Sequence, residues 1–351
     1  MEEPWGEVPK CVEANQQSWV PGEVPWEPRE LKGGLRWSEL ALDTEEGLEE
    51  FKAFLDAHYV RGDNYGLQYT KQVLKGANMP PGFHTEWHVA VRTKKGALMA
   101  TITAVPADFI QPKNNRVTSR AIINFLCVHD KLRVKRLAPV LIQEVARRIA
   151  DKQVWEAIYT AVAHLPRPIA SPHYQHMIVD VSYLTRVGFI DRSVPRIKLS
   201  RNIHLHKVQE HHIPHLFQLY QNFILNTQPT LALHFKSMLL FQHEIHGPHK
   251  YAVVTQDMRN FAAFVLIPST HLTRNTHIQA AYLTLCVATS IPHTTFLRQA
   301  TAHLPTHHLL NILTSTNTTP SHTPLHTPSP LHFFTYNSTI THTHFLPFAF
   351  N

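Results

Sequence analysis

The chain has 351 residues, of which 43% are hydrophobic, and a formal net charge of +7 at pH 7. This length exceeds the usual range of a single domain, so two domains or one duplicated unit with a substantial core are expected. Three cysteines without paired spacing argue against a disulfide framework and against a cysteine-based zinc site, which favours a reducing compartment.

The net positive charge comes from missing carboxylates in the second half. Only three of the 26 acidic residues lie after residue 200, whereas the one compact basic run, residues 131–136, lies in the first half. A surface that binds nucleic acid needs a broader cluster of Lys and Arg, so no nucleic-acid partner is expected. The sequence also has no apolar stretch of about 18 residues and no signal peptide, which predicts a cytoplasmic protein without stable membrane insertion.

The first half is predicted to alternate strands and helices behind an extended arm. Residues 1–36 are rich in Pro and Trp without periodicity, which is typical of an arm that lies across a surface. The helix predicted at 45–58 has one apolar stripe, formed by Leu48, Phe51, Phe54 and Leu55. The further elements in chain order are strands at 87–92, 98–105 and 122–128, a helix that begins at Pro139 and ends near 150, and a strand at 155–162.

After residue 200 the order of strands and helices starts again, although no repeat is visible in the sequence itself. The predicted elements are a helix at 213–225 and strands at 251–255, 261–267, 280–288 and 331–336. Residues 301–330 are a mixture of Thr, His, Pro, Ser and Asn that is typical of a loop or of disorder. We therefore predict an α+β fold with an arm at 1–36, one half at 37–200 and a second half at 201–351.

The most informative stretch joins a strand, a basic turn and the start of a helix. The apolar run that ends at Val128 leads into Leu-Arg-Val-Lys-Arg at 132–136, which is followed by a Leu-Ala-Pro helix start. Proline is tolerated in the first turn of a helix, so the remaining N–H groups and the positive helix end are available to an anion. The guanidinium groups of Arg133 and Arg136 can each bind phosphate oxygens through paired hydrogen bonds. The turn therefore predicts a site for a coenzyme diphosphate.

The same block carries a resemblance to a known family. Residues 124–129 read Asn-Phe-Leu-Cys-Val-His, and residues 131–142 read Lys-Leu-Arg-Val-Lys-Arg-Leu-Ala-Pro-Val-Leu-Ile. Both runs resemble eukaryotic protein N-myristoyltransferase. Shorter matches follow the order of that family from near residue 5 to near residue 337, among them Trp87-His88, Tyr174-x-His176, Ala280-Ala281-Tyr282 and Phe333-Phe334-Thr335-Tyr336-Asn337.

The resemblance implies two acyl-CoA N-acyltransferase-like halves of the GCN5-related type that form one saddle-shaped body. It also implies that a monomer transfers a myristoyl group from myristoyl-CoA directly to the N-terminal glycine amine of proteins. Myristoyl-CoA is then a co-substrate, and no cofactor is bound permanently. The implied partners are acyl-CoA and Gly-initiated protein N-termini.

The resemblance implies three catalytic positions. The backbone N–H groups of Phe125 and Leu126 would stabilise the oxyanion, and the terminal carboxylate of Asn351 would accept the proton of the glycine amine. The tail around Asn351 is apolar, and its burial would narrow the gap between the carboxyl and amine pKa values; a frayed terminus is the alternative. The implied coenzyme-binding residues are Trp5, Phe125, Leu126, Cys127, Val128, Arg133, Val134, Lys135, Arg136, Leu137 and Ala138.

Several positions depart from the family pattern. Ile122 and Asp130 stand where the family has Glu and Lys, and Val134 replaces a serine in the basic turn. The glycine-rich signature that precedes residue 331 in the family is absent from 323–330. Two other functions therefore stay open, namely a short-chain N-acetyltransferase and a homologue that binds acyl-CoA or Gly-peptides without turnover.

Two alternative chemistries are less consistent with the sequence. Cys127 alternates with Leu126 and Val128 in the predicted strand and has no base placed near it, so a buried structural thiol is expected instead of a nucleophile. Histidines at 211–215, 303–308 and 342–344 have spacings that could bind a metal, but 20 of the 27 histidines fall in this Thr- and Pro-rich half. Compositional drift explains them together, so no metal site is predicted.

Overall fold

The computed structural model of the chain describes residues 27–59, 65–161, 165, 168–190, 203–247, 250–271, 276–305, 307–314, 331–336 and 338. The elements of the first half are β1 Leu35–Glu39, α1 Glu45–His58, β2 Tyr65–Leu67, α2 Lys71–Asn78, β3 Val89–Thr93, β4 Leu98–Gln111, β5 Arg116–Val128, α3 Leu137–Asp151, β6 Glu156–Ala161, β7 His173–Ile178 and α4 Val181–Arg186. Those of the second half are β8 Leu205–Lys207, α5 Ile213–Thr227, β9 Ala232–His234, α6 Met238–Ile245, β10 Lys250–Thr255, β11 Asn260–His271, β12 His277–Ala288, α7 His293–Ala302, β13 Leu309–Thr314 and β14 His332–Tyr336. From β1 to β7 and from β8 to β14, strands and helices follow one another in the same order.

The described strands form two seven-stranded sheets with one plan. In the first sheet the order is β1-β3-β4-β5-β6-β14, with β9 beside β4, and in the second it is β8-β10-β11-β12-β13-β7, with β2 beside β11. The pairs β5–β6 and β12–β13 are parallel, whereas the hairpins β4–β5 and β11–β12 are antiparallel. The predicted α+β fold is confirmed, and the order of its strands repeats.

The two halves of the chain exchange strands. β14 pairs with β6 through the Phe334 and Tyr159 positions, whereas β7 pairs with β13 through His176 and Asn311. β2 and β9 are exchanged in the same way, since β2 pairs with β11 and β9 pairs with β4. Each sheet is therefore completed by backbone hydrogen bonds from the other half of the chain. The division of the chain at residue 200 remains a prediction. It does not separate the two sheets, because each sheet contains strands from both sides of that residue.

Helix α1 has the bounds that the apolar stripe predicts. Thr44 caps it by accepting a hydrogen bond from the Gly47 N–H at 3.0 Å, which satisfies one of the orphan donors of the first turn. The four residues of the predicted stripe are buried. They pack in one core cluster with Phe125 of β5 and Val265 of β11, so α1 joins residues of both sheets.

Helix α3 covers the first sheet and carries a buried carboxylate. Glu144 accepts hydrogen bonds from Arg147 at 2.8 Å and from Arg148 at 2.6 Å, and Arg148 also donates to the Glu86 carbonyl at 2.8 Å. Such a charge is tolerated in the interior only when its oxygens are paired in this way. The network fixes the position of α3 on the sheet.

Several predictions differ from the structure. The segment 301–330 was expected to be a loop or disordered, but β13 lies in it, because its residues pair with β7 and β12. The hairpin is also longer than predicted, since β4 ends six residues later and β5 begins six residues earlier. Two further boundaries differ for local reasons. Trp87 lies in a 3-10 turn instead of a strand, because its indole N–H donates to the Arg148 carbonyl at 3.1 Å and so turns the chain toward α3. The helix that was expected to begin at Pro139 begins at Leu137. The cause is Arg136, whose φ of +55° ends the preceding 3-10 helix and lets α3 start two residues early.

An exchanged strand also supplies a side chain to the core between the halves. Phe333 of β14 is fully buried and packs in one cluster with Phe109 of β4, Ile158 of β6 and Leu313 of β13. This cluster contains residues of both sheets. The packing of the exchanged strand is therefore part of the contact between them.

We expect Phe333→Ala to lower the free energy of unfolding by about 3–5 kcal/mol, because it removes a buried ring from a core that both sheets line. Equilibrium urea denaturation followed by tryptophan fluorescence and circular dichroism measures the change. Leu239→Ala is the control, since this leucine is mostly exposed and its loss should change stability by less than about 0.5 kcal/mol. Similar stabilities for the two variants would contradict the placement of β14 in the first sheet.

Candidate active site

The hairpin β4–β5 contains a bulge at the predicted catalytic residues. Thr101 pairs with Cys127 and Thr103 pairs with Asn124, so Phe125 and Leu126 together face one residue of β4. Phe125 has a φ of +48°. A bulge places extra residues outside the regular ladder and redirects the backbone there. The two predicted oxyanion donors are thus the two residues at which β5 departs from a regular strand.

Aromatic packing holds Phe125 in this conformation. A left-handed φ at a residue with a large side chain costs on the order of 1–3 kcal/mol and persists only where the surroundings enforce it. The Phe125 ring is 2% exposed and meets Phe51 at 5.6 Å, Tyr69 at 5.3 Å and Tyr59 at 5.8 Å between ring centroids. Leu126, by contrast, is 36% exposed. Packing of the Phe125 side chain therefore offsets the backbone strain, while the Leu126 side chain points out of the core.

The parallel pair β5–β6 comes apart beside the bulge. Its register runs from Arg120 and Glu156 to Ile123 and Tyr159, although β5 continues to Val128 and β6 to Ala161. Among the described residues, no register pair joins these strands past Ile123. The backbone at the bulge consequently lies where β5 and β6 no longer pair, so a ligand can contact it there.

A basic turn follows β5 directly. His129 caps a 3-10 helix at Asp130–Lys135 by accepting the Lys131 N–H at 3.2 Å, and Arg136 then starts α3 without a side-chain hydrogen bond to its first turn. Apart from Leu132, which is buried, the side chains of this turn are exposed, and Val134 is 89% exposed. Leu137 is fully buried and anchors the start of α3. The turn therefore places cationic side chains next to the N-terminus of α3.

Arg133 ties this turn to the end of α1. Its guanidinium donates to the Val128 carbonyl at 3.3 Å and to the His58 carbonyl, and it pairs with Asp130 at 3.0 Å. The His58 ring lies against the His129 ring with centroids 4.2 Å apart. These contacts hold α1, the end of β5 and the basic turn together.

Cys127 is buried, and the predicted structural role of its thiol agrees with its surroundings. Burial, as the largest influence, raises the pKa of the thiol to about 12, and the nearby Arg133 only partly opposes this. A thiol with such a pKa is almost wholly protonated at neutral pH and is a poor nucleophile. Cys127 therefore contributes packing beside the bulge.

The second sheet contains a polar row to which the sequence analysis assigned no role; its motifs included His176 and Tyr282 but not Asn311. The register places Asn311 of β13 between Tyr282 of β12 and His176 of β7. Asn311 Oδ1 lies 2.6 Å from His176 Nδ1, and the rings of Tyr282 and Tyr174 meet at 6.0 Å. Burial raises the pKa of Tyr282 to about 12, so its hydroxyl stays neutral. The available signal was a single asparagine inside the apolar run Leu-Leu-Asn-Ile-Leu.

The described structure brings most of the predicted site residues together. The bulge and the basic turn contain Phe125, Leu126, Cys127, Val128, Arg133, Val134, Lys135, Arg136, Leu137 and Ala138. Trp5 and Asn351 lie outside the described residues, as does the segment 315–330. Within the residues that are described, no three His, Cys, Asp or Glu side chains gather in a way that could hold a metal ion, and no helix is long and apolar enough to cross a membrane.

The fold of the chain is similar to that of two solved structures. Its sheets have the fold of GCN5-related acyltransferases, since a GCN5-related N-acetyltransferase from Kribbella flavida aligns with a TM-score of 0.51 over 86% of this chain and 71% of its own, at 10% identity. A crystal structure of Saccharomyces cerevisiae N-myristoyltransferase with bound myristoyl-CoA aligns with a TM-score of 0.79 over 95% of this chain and 91% of that one, at 23% identity. Both likenesses concern the fold alone.

The chain belongs to the protein N-myristoyltransferase family, as its motifs predict. Glycylpeptide N-tetradecanoyltransferase 1 of Arabidopsis thaliana is 33% identical over 299 residues, which make up 79% of this chain and 67% of the relative. The family model for the N-terminal domain of myristoyl-CoA:protein N-myristoyltransferase matches residues 15–172. The chain spans between 29% and 67% of the length of eight curated relatives that it matches.

We expect the Cys127 thiol to resist alkylation in the folded protein. With a pKa near 12, about one thiol in 10⁴ is ionised at pH 8, whereas an ordinary cysteine is substantially ionised there. Iodoacetamide labelling at pH 8, read for the Cys127 peptide by mass spectrometry, should be slow without urea and fast with it. Fast labelling of the native protein at this peptide would contradict the burial of the thiol.

Proposed function

We propose that the chain transfers a myristoyl group from myristoyl-CoA to the N-terminal glycine amine of proteins. The observation that carries this proposal is the left-handed Phe125 at the point where β5 and β6 stop pairing. Successive N–H groups of a strand normally point to opposite sides, and a left-handed residue lets two of them point to the same side and bind an anion. The N–H groups of Phe125 and Leu126 are the proposed pair.

In the proposed reaction the neutral glycine amine attacks the carbonyl carbon of the thioester. Negative charge develops on the carbonyl oxygen, where the two N–H groups stabilise it. The tetrahedral intermediate then collapses: the C–S bond breaks, the new C–N bond becomes an amide, and coenzyme A leaves as a thiol after taking up the proton that the amine loses. Asn351, the predicted first acceptor of that proton, lies outside the described residues.

The basic turn supports binding of the coenzyme phosphates. Arg133, Lys135 and Arg136 are exposed beside the uncapped start of α3, and cations and a helix N-terminus both attract phosphate oxygens. Val134 has no hydroxyl, so at this position the backbone is the group that can donate to a phosphate. All three cations contribute to the phosphate attraction, and Arg133 also holds the turn in place through Asp130 and two carbonyls.

The polar row of the second sheet supports an acceptor site facing the bulge. Tyr282, Asn311 and His176 offer hydrogen-bonding groups in a largely apolar setting, and Tyr282 packs in the core cluster that contains Phe125. A peptide N-terminus needs such partners once its amine and carbonyl groups leave water. The names of the relatives, glycylpeptide N-tetradecanoyltransferases, support glycine as the acceptor and the myristoyl chain as the transferred group.

The proposed activity is tested by incubating the protein with myristoyl-CoA and a Gly-initiated peptide and measuring the peptide mass. We expect the mass of one myristoyl group on the peptide, none on a peptide that begins with alanine, and much slower transfer from acetyl-CoA. Faster transfer from acetyl-CoA would favour a short-chain acetyltransferase. Binding of both substrates without a modified peptide would favour a homologue that only binds them.

The phosphate assignment is tested by Arg136→Glu. This change turns an attractive contact into a repulsive one, so the dissociation constant for myristoyl-CoA should rise at least about tenfold at low salt, and the difference should shrink as salt is added. Arg116→Glu, which changes the net charge equally on the exposed tip of the β4–β5 hairpin, is the matched control and should bind almost normally. Titration calorimetry at two salt concentrations decides the matter, and equal affinities for the two variants would remove Arg136 from the site.

A further inference from the structure

Two buried threonines of β4 bind the carbonyl groups of the bulge. Thr103 Oγ1 donates to the Asn124 carbonyl at 3.3 Å, and Thr101 Oγ1 donates to the Phe125 carbonyl at 3.0 Å. Both threonines are fully buried. They stand two residues apart on one strand, so their side chains lie on one face of β4. Two consecutive carbonyls of β5 are thus held from the same strand.

Those carbonyls belong to the peptide units that carry the proposed oxyanion donors. The carbonyl of Asn124 shares a peptide unit with the Phe125 N–H, and the carbonyl of Phe125 shares one with the Leu126 N–H. A trans peptide unit is planar, so its N–H points away from its C=O. Cis peptide bonds are absent from the described residues. Because both carbonyls turn toward β4, both N–H groups turn away from it, toward the side where β5 and β6 are no longer paired.

We propose that Thr101 and Thr103 are positioning residues that aim the Phe125 and Leu126 N–H groups at the thioester oxygen. The inference rests on the function proposed above, since it assigns the residues that orient its oxyanion donors. Neither threonine touches the substrate. Each acts through one peptide unit, which it holds in the orientation that the reaction needs.

Hydroxyl groups are required here for two physical reasons. Phe125 lies outside the register of the ladder, and Asn124 is the last residue paired before it. A buried carbonyl that loses its partner costs about 1–3 kcal/mol, so without the hydroxyl groups the peptide units would turn toward other partners. A hydrogen bond at the carbonyl also polarises the amide and makes its N–H a stronger donor. The threonines therefore both orient and strengthen the two donors.

The corresponding hairpin of the second sheet lacks this arrangement. Its register shifts between Ala263 and Phe264, and the one hydroxyl there, of Thr284 on β12, donates to the Ala263 carbonyl at 3.2 Å. Thr284 is not among the described residues with a left-handed φ. The residues between β12 and α7 also include no Lys or Arg. The paired threonines thus occur at the hairpin that has both the left-handed residue and the basic turn.

The inference is tested with Thr101→Val and Thr103→Val, singly and together. Valine keeps the shape and the strand preference of threonine and removes only the hydroxyl. We expect each single variant to lower kcat by about tenfold and the double variant by up to about a hundredfold, while the dissociation constant for myristoyl-CoA stays within about twofold. Thr101→Ser and Thr103→Ser, which keep the hydroxyl, should restore most of the rate.

A spectroscopic measurement separates positioning from a general loss of structure. Myristoyl-CoA with ¹³C at the thioester carbonyl should show a carbonyl stretch at lower frequency when bound, because the two N–H groups polarise it. This shift should shrink in each valine variant. Thr284→Val is the matched control, since it also deletes a buried hydroxyl bound to a main-chain carbonyl at a bulge, and it should leave the shift unchanged.

Each outcome bears on one claim. A full frequency shift and a normal kcat in the double valine variant, with myristoyl-CoA bound, would overturn the inference and leave the proposed function standing. Failure of the unmodified protein to bind myristoyl-CoA would overturn the proposed function first. If the double variant does not fold, the single variants decide: an equal loss of rate in the valine and serine forms of each site would reject the role of the hydroxyl.

Discussion

The site depends on one strained backbone position. Phe125 has a left-handed φ, which few residues with large side chains tolerate, and its ring is held by Phe51, Tyr59 and Tyr69. The core cluster that contains these rings also includes Val265 of the second sheet. The three rings all lie in the first half, and the cluster they form with Phe125 extends to residues of the second half. Strain of this kind clusters at sites that bind ligands, which agrees with the proposed role of Phe125.

Strand exchange provides the rigidity that this arrangement requires. β2 and β7 of the first half pair in the second sheet, whereas β9 and β14 of the second half pair in the first sheet. The two sheets therefore cannot separate without breaking backbone hydrogen bonds. A cleft between two independent domains would open and close with their relative motion. In this chain the bulge and the polar row around Asn311 instead lie on sheets that share strands from both halves.

The repeated plan does not make the two halves equivalent. Both contain an antiparallel hairpin with an irregular register beside a parallel pair of strands. In the first half, this arrangement contains the left-handed Phe125, and the basic turn comes directly after it. In the second half, the register of the parallel strands β12 and β13 ends at Tyr282 and Asn311. One scaffold thus carries the proposed anion-binding backbone in one copy and neutral hydrogen-bonding side chains in the other. The proposed substrates, a charged coenzyme and a peptide N-terminus, need this difference.

Local patterns in the sequence predicted many of the elements and the family, and they led to the candidate site, but β7, α4, α7 and β13 were not predicted. The apolar stripe predicted α1 with its observed bounds, and the strand, basic turn and helix start located the residues around Phe125, because periodicity and short motifs depend on neighbours in the chain. Tertiary structure alone decided the strand exchange, the sign of φ at Phe125 and the meeting of His176 with Asn311. Each of these depends on which distant segments pair and in what register. That choice is made by packing and hydrogen bonding between residues far apart in the chain, and short-range patterns do not encode it.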